Sequence, residues 1–111
     1  MSAAYRGAPL DALIAGGPWH ALREGVEIQY LHRALDEPVA ALLRYQPGAR
    51  VPAHRHAGVE IVHVLQGSQR DAAGTYAAGS IKINLPGTAH DLVSDTGCVV
   101  LIVWEKPVEF L

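Results

Sequence analysis

The sequence predicts one all-β domain, a small sandwich or barrel, on three observations. Turn residues recur at short intervals: Gly25, Pro47-Gly48, Ala57-Gly58, Gly67, Gly74, Gly79, Pro86-Gly87 and Asp95-Thr96-Gly97. The runs between them have the length of strands, not helices. Finally, 111 residues, half of them apolar, fill one core; a second domain would need roughly another 100 residues.

In chain order, the spacing predicts strands at 26–34, 39–46, 50–55, 59–66, 68–72, 75–77, 80–85, 89–94 and 98–105. One short helix is predicted at 9–15, with Pro9 in its first turn and Gly16 after its end. No other segment carries apolar residues at helical spacing for three turns. Asp36-Glu37-Pro38 is read as the turn between the first two strands, because proline sits poorly inside a sheet. The domain is divided into an N-terminal segment, 1–25, and a barrel, 26–105.

Two strands are apolar on both faces. Cys98, Val100, Ile102 and Trp104 point one way, and Val99, Leu101 and Val103 the other. Strand 59–66 is similar apart from Glu60, His63 and Gln66. An outer face of an antiparallel sandwich normally meets water. Its apolar character predicts a cover, with a homodimer as the expected one and the N-terminal segment as its rival.

Composition narrows the function classes. Nine basic residues face eleven acidic ones, for a net charge of −2, and no Lys/Arg run exists. Binding to nucleic acid by charge is therefore not expected. The longest apolar run, Cys98 to Trp104, is far short of the ~20 residues of a membrane span, and the N-terminal stretch is broken by Pro9, Asp11 and Gly16-Gly17, unlike a signal peptide. The single cysteine, Cys98, excludes an intrachain disulfide and predicts a reducing, cytoplasmic setting. No serine nucleophile elbow, phosphate loop or paired-cysteine metal site is present.

The six histidines carry the chemistry. His54 and His56 are two apart on a predicted strand, so both leave the same face. Ala57-Gly58 allows the chain to reverse, and Glu60 then starts the next strand beside the pair. Two imidazoles and a carboxylate on one face suit a divalent transition metal. His63, three residues from Glu60, falls on the opposite, outer face. His20 and His32 read as partly exposed, with His32 able to approach a barrel mouth. Arg44 has two readings: inward beside a substrate, or stem packed and head in solvent. Cys98 reads as a buried, inert thiol, and Trp104 and Tyr45 as packing residues.

The longer pattern, Gly48-x5-His54-x-His56-x3-Glu60-x6-Gly67, resembles the first motif of the cupin superfamily. Gly79, then Pro86-Gly87 and His90, resembles the second, although Pro and Gly are adjacent here and Ser94 stands where the family often has Asn. The resemblance covers about residues 40–104. It implies a double-sheet jelly-roll barrel with His54, His56, Glu60 and His90 holding a metal inside it. Within cupins, Leu42-Leu43-Arg44-Tyr45-Gln46-Pro47-Gly48, the stretch from Asp71 to Gly79, Gly97-Cys98 and the entry segment Trp19 to Leu35 resemble the cupin half of the zinc anti-sigma factor ChrR and its stand-alone relatives. The N-terminal zinc module that grips the sigma factor has no counterpart here, so the anti-sigma role is not expected to carry over. Some stand-alone relatives are dioxygenases that cleave small aromatic ketones.

Three functions follow. The first is a metal-dependent dioxygenase with a small organic ligand in the barrel. The second is a ChrR-like sensing or regulatory module with four-coordinate zinc. The third, a metal-free isomerase or sugar-binding cupin, fits worst, since intact ligands would have no purpose. Zinc and iron are the leading metals; manganese, nickel and copper share the same ligand preferences.

Overall fold

The computed structural model describes residues 7–35 and 37–111. Helix α1 spans Leu10–Gly16. The strands are β1 His20–Arg23, β2 Val26–Ala34, β3 Glu37–Tyr45, β4 Ala49–Arg55, β5 Glu60–Asp71, β6 Gly74–Ala77, β7 Ile81–Asn84, β8 Ala89–Ser94, β9 Cys98–Trp104 and β10 Glu109–Phe110. They form one curled antiparallel sheet in the order β1-β2-β3-β9-β5-β8-β4-β10, with β6 and β7 also paired to β5. This is the expected small jelly-roll barrel.

Strand β5 joins the two layers. Its first half pairs with β9 and β7, and its second half with β6 and β8. The predicted strands 59–66 and 68–72 are thus one bent strand. The bend lies at a register shift after Val64, beside Gly67, where bulges turn strands between layers. Gly67 has φ 72, and a Cβ there would run into the backbone of Gly97 and Cys98, so only glycine fits.

The core follows from strand alternation. Val26, Ile28, Leu43, Val62, Val64, Val100 and Ile102 pack together inside, with Trp104 against them. Each fully buried aliphatic side chain contributes about 1.5–3 kcal/mol.

The turn assigned to Asp36-Glu37-Pro38 needs correction. Glu37 and Pro38 already belong to β3, with Pro38 opposite Arg33, and the reversal falls at Leu35, φ 53. Asp36 lies outside the described residues. Proline is tolerated there because pairing of β3 with β9 begins only at Ala40. The barrel also extends beyond 26–105: β1 and β10 lie outside those bounds. Both were too short to show a period-2 pattern.

The outer face divides in two. Gln29 and Leu42 are fully buried there. The N-terminal segment reaches this face, since the Gln29 amide donates to the Leu13 carbonyl of α1. Farther along, Val103, Ile61 and Ile83 stand in register across β9, β5 and β7 and are exposed, as are Ile81 and Leu85.

Candidate metal centre

His54 and His90 face each other across β4 and β8, and His56 follows just beyond the end of β4. A register shift between Val51 and His54 decides their direction. Val51 packs against the core, so plain alternation would send residue 54 outward. The extra residue at Pro52-Ala53 restores His54 to the interior, a usual service of a bulge. Proline fits at this irregularity because the ladder there needs no donor.

One ring nitrogen from each of His54, His56 and His90 lies within 4.8 Å of the others. All three rings are held by the opposite nitrogen. His54 Nδ1 donates to the Pro52 carbonyl at 2.8 Å. His56 Nδ1 contacts the Thr88 carbonyl and hydroxyl, each at 3.0 Å. His90 Nδ1 donates to Asp71 Oδ2 at 2.9 Å. These bonds fix the tautomer that leaves an Nε2 lone pair free. Nε2 of His56 and of His90 are buried with no hydrogen-bond partner. Buried polar nitrogens without partners are uncommon and costly; a metal ion placed among them would satisfy both, so the residues fit the group.

Glu60 is buried beside this cluster. Its Oε1 is 3.5 Å from His56 Nε2 and accepts from the Asn84 amide at 2.8 Å. Its Oε2 accepts from the Trp104 indole at 2.9 Å. The three histidines are closer to one another than the carboxylate is to all of them. Trp104 therefore does more than pack: it orients Glu60.

Behind His90 stands a half-buried ion pair. Lys82 Nζ is 2.6 Å from Asp71 Oδ2 and 3.3 Å from His90 Nδ1. Asp71 Oδ1 accepts from the backbone N–H groups of Ala73 and Gly74. A carboxylate behind a ligand histidine orients the ring and raises its basicity.

The electrostatics agree with this arrangement. Burial lowers the His56 pKa, against the opposing pull of Glu60. Burial also lowers that of His90, although Asp71 works the other way. Both imidazoles are thus favoured in the neutral, metal-ready form. Burial alone would raise the Asp71 carboxyl, but hydrogen bonds from Lys82 and His90 hold it well below the usual carboxylate range.

The cluster opens on a cavity of about 220 Å³, whose wall includes Ile28, Leu43, Val62 and Ile102 as well as His54, His90 and Glu60. An apolar chamber with a few convergent polar groups suits a small organic ligand.

A family model described as the ChrR cupin-like domain matches residues 13–109. The chain belongs to that family. The anti-sigma-E factor ChrR of Cereibacter sphaeroides is 35% identical over 94 residues, which are 83% of this chain and 44% of that protein. The chain thus spans less than half the length of this relative. ChrR in its crystallised complex with Rhodobacter sphaeroides SigE superposes with a TM-score of 0.72 at 31% identity, over 89% of this chain and 57% of that one. An acetylacetone dioxygenase from Acinetobacter johnsonii shares the fold, with a TM-score of 0.77 at 18% identity over 96% of this chain and 76% of that one.

The other sequence candidates of this ChrR-like cupin domain lie away from the cluster. Arg44 does not point inward: it pairs with Glu27 at 2.7 Å and stacks over Trp19. It alternates with the inward Leu43 and Tyr45, which sends it to the outer face. His63 lies on the outer face between Leu101 and Ile81. His32 is exposed, and His20 stands against Tyr30. Cys98 and Tyr45 are buried, and burial raises the pKa of each. Sequence reasoning missed Asp71, Lys82, Asn84 and Thr88. Asp71 opens an Asp-Ala-Ala-Gly turn, and its capping role hid its second one. Among the described residues, no helix is long and apolar enough to cross a membrane.

Proposed function

We propose that His54, His56, His90 and Glu60 hold one divalent transition-metal ion beside a pocket for a small organic ligand. The unpartnered, buried Nε2 atoms of His56 and His90 carry this reading. Three nitrogens and one carboxylate oxygen leave one or two positions open on a five- or six-coordinate ion, so the favoured activity is metal-dependent dioxygenation of a small oxygen-bearing substrate. When bound, the ion would supply a meeting point for dioxygen and a substrate oxygen. The chain's own part is to orient the imidazoles through Asp71, Thr88 and the Pro52 carbonyl, to fix Glu60 through Asn84 and Trp104, and to exclude water with apolar walls. Iron and zinc are the leading metals, with manganese, nickel and copper as alternatives.

The test is elemental analysis of untagged protein, followed by oxygen uptake by the iron-loaded form with acetylacetone as probe. About one ion per chain is expected, with uptake that requires the probe. Four-coordinate zinc in every preparation, with no uptake, favours a second reading, a ChrR-like zinc-binding sensing or regulatory module. The 35% identity to ChrR supports that alternative. Cys98 as a lone free thiol supports a cytoplasmic setting.

The exposed row of Val103, Ile61 and Ile83 supports pairing with a second copy, through the half of the outer face opposite α1. Apolar rows in register can pack on their own two-fold image. Light scattering at micromolar concentration should give twice the monomer mass, and Ile61→Lys should restore the monomer.

A further inference from the structure

We propose that Arg23 is an anion anchor at the mouth of the barrel pocket, and that the ligand is a small apolar monocarboxylate. The proposal rests on reading the barrel as a ligand pocket, and not on the identity of the metal. The strand order leaves β1 and β10 as the two free ends of the curled sheet. Arg23 ends β1, and its guanidinium carbon lies 4.6 Å over the ring of Phe110 in β10. The Phe110 ring is in turn 5.8 Å from the ring of His54. Arg23, Phe110 and His54 all line the same cavity, so the guanidinium and the histidine cluster face one chamber with a single ring between them.

The guanidinium is poorly provided for. Arg23 is half-buried, its Nε is fully buried without a hydrogen-bond partner, and it joins no ion pair among the described residues. The other cation of the chamber, Lys82, is taken by Asp71, and the carboxylate of Glu60 is held by Asn84 and Trp104. Arg44 and Arg70 are paired with Glu27 and Asp95. Stacking on Phe110 accounts for the position of Arg23 but leaves its in-plane donors unused. A planar fork of donors matches a carboxylate bidentately, and an orphaned buried donor gains most from such a partner. The remaining walls are mostly apolar, from Leu22, Val26, Ile28, Leu43, Val62 and Ile102, which calls for a hydrocarbon body behind the charged end.

Calorimetric titration with butanoate, hexanoate and octanoate, each beside its matching primary amide, tests the proposal. Metal-loaded and chelator-stripped protein are compared. At least one carboxylate should bind about tenfold or more tighter than its amide, in both metal states. Arg23→Gln should abolish that preference, and Arg23→Lys, which keeps charge without the fork, should retain part of it. Thermal melts check that the variants are folded. The proposal is overturned if no carboxylate is preferred over its amide, or if Arg23→Gln leaves the preference unchanged, which would make Arg23 only a clasp between β1 and β10. A preference lost on stripping the metal but kept in Arg23→Gln would put the carboxylate on the ion and also overturn it. Metal content, measured on the same samples, reports separately on the metal-site reading.

Discussion

Two ends of one barrel interior are both polar, and they are built for different ends. At one, Tyr45, Gln69, Ser94 and Cys98 are buried together. Ser94 donates to the Ser68 carbonyl at 2.6 Å, and Gln69 lies beside the Tyr45 hydroxyl and the Cys98 thiol. No side-chain atom of these four is left buried and unpartnered. At the other end, His54, His56, His90 and Glu60 converge, with two ring nitrogens unpartnered. A closed polar network stabilises a fold, whereas an open one waits for a ligand. Both ends are largely buried, so satisfaction distinguishes these two clusters better than burial does.

The largest expected effect breaks the closed end. Gly67→Ala should cost roughly 3 kcal/mol or more, from a strained positive φ and a Cβ against Gly97. Chemical denaturation measures it, and a loss below about 1 kcal/mol would show that the bend relaxes easily. At the open end, His56→Ala should lower metal affinity by more than about 100-fold, beyond the usual cost of losing an outer partner. Its circular dichroism should stay that of a folded β protein, because the core does not pass through the histidines. If metal-free protein unfolds outright instead, the ion is a folding staple and the oxygenase reading weakens.

Asp71→Asn sharpens the comparison further. Asparagine keeps an acceptor for the turn but removes the charge facing Lys82 and His90. Metal affinity should fall about 10- to 100-fold, as read by competition with a chelator. Unchanged affinity would reduce Asp71 to a turn cap.

The smallest effects are in the pH profile of the metal-free protein, and each limb belongs to one end. His56 and His90 have lowered pKa values in the fold, so the unfolded chain takes up protons first. Stability should therefore fall as pH drops below about 6.5, and His56→Ala should shrink this acid limb. Cys98 has a raised pKa in the fold, so the unfolded thiol loses its proton first. Stability should decline as pH rises past about 8.5, and Cys98→Ala should remove that part. Stability curves over pH 5 to 10 for the three proteins check both signs.

Most strand positions were legible in the sequence, because turn residues punctuate them, and the shared face of His54 and His56 followed from their spacing of two. Their inward direction, and that of His90, came from the cupin resemblance; the extra residue at Pro52-Ala53 that turns His54 inward was not legible. The helix was legible from Pro9 and Gly16, within one residue. The split of β5 into two strands failed because a bend at Gly67 looks like a turn when pairing partners are unknown. The direction of Arg44 stayed open between two readings for a similar reason: even spacing from Leu42 gives parity, but not which parity faces inward. Leu42 itself lies outside, beneath the N-terminal segment.

The sequence by itself determined the fold class, the His54-His56-Glu60 pattern and the lone cysteine, all of them properties of local spacing and residue type, while His90 joined the set through the cupin resemblance. Only the tertiary structure decided that Arg23 of β1 reaches Phe110 of β10, that Arg23 looks into the same chamber as His54, and that Asp71 and Lys82 stand behind His90. Those residues lie on different strands, from eight to 87 positions apart along the chain. Their contact depends on how the sheet curls and on where its bulges fall, and single-chain periodicity carries neither.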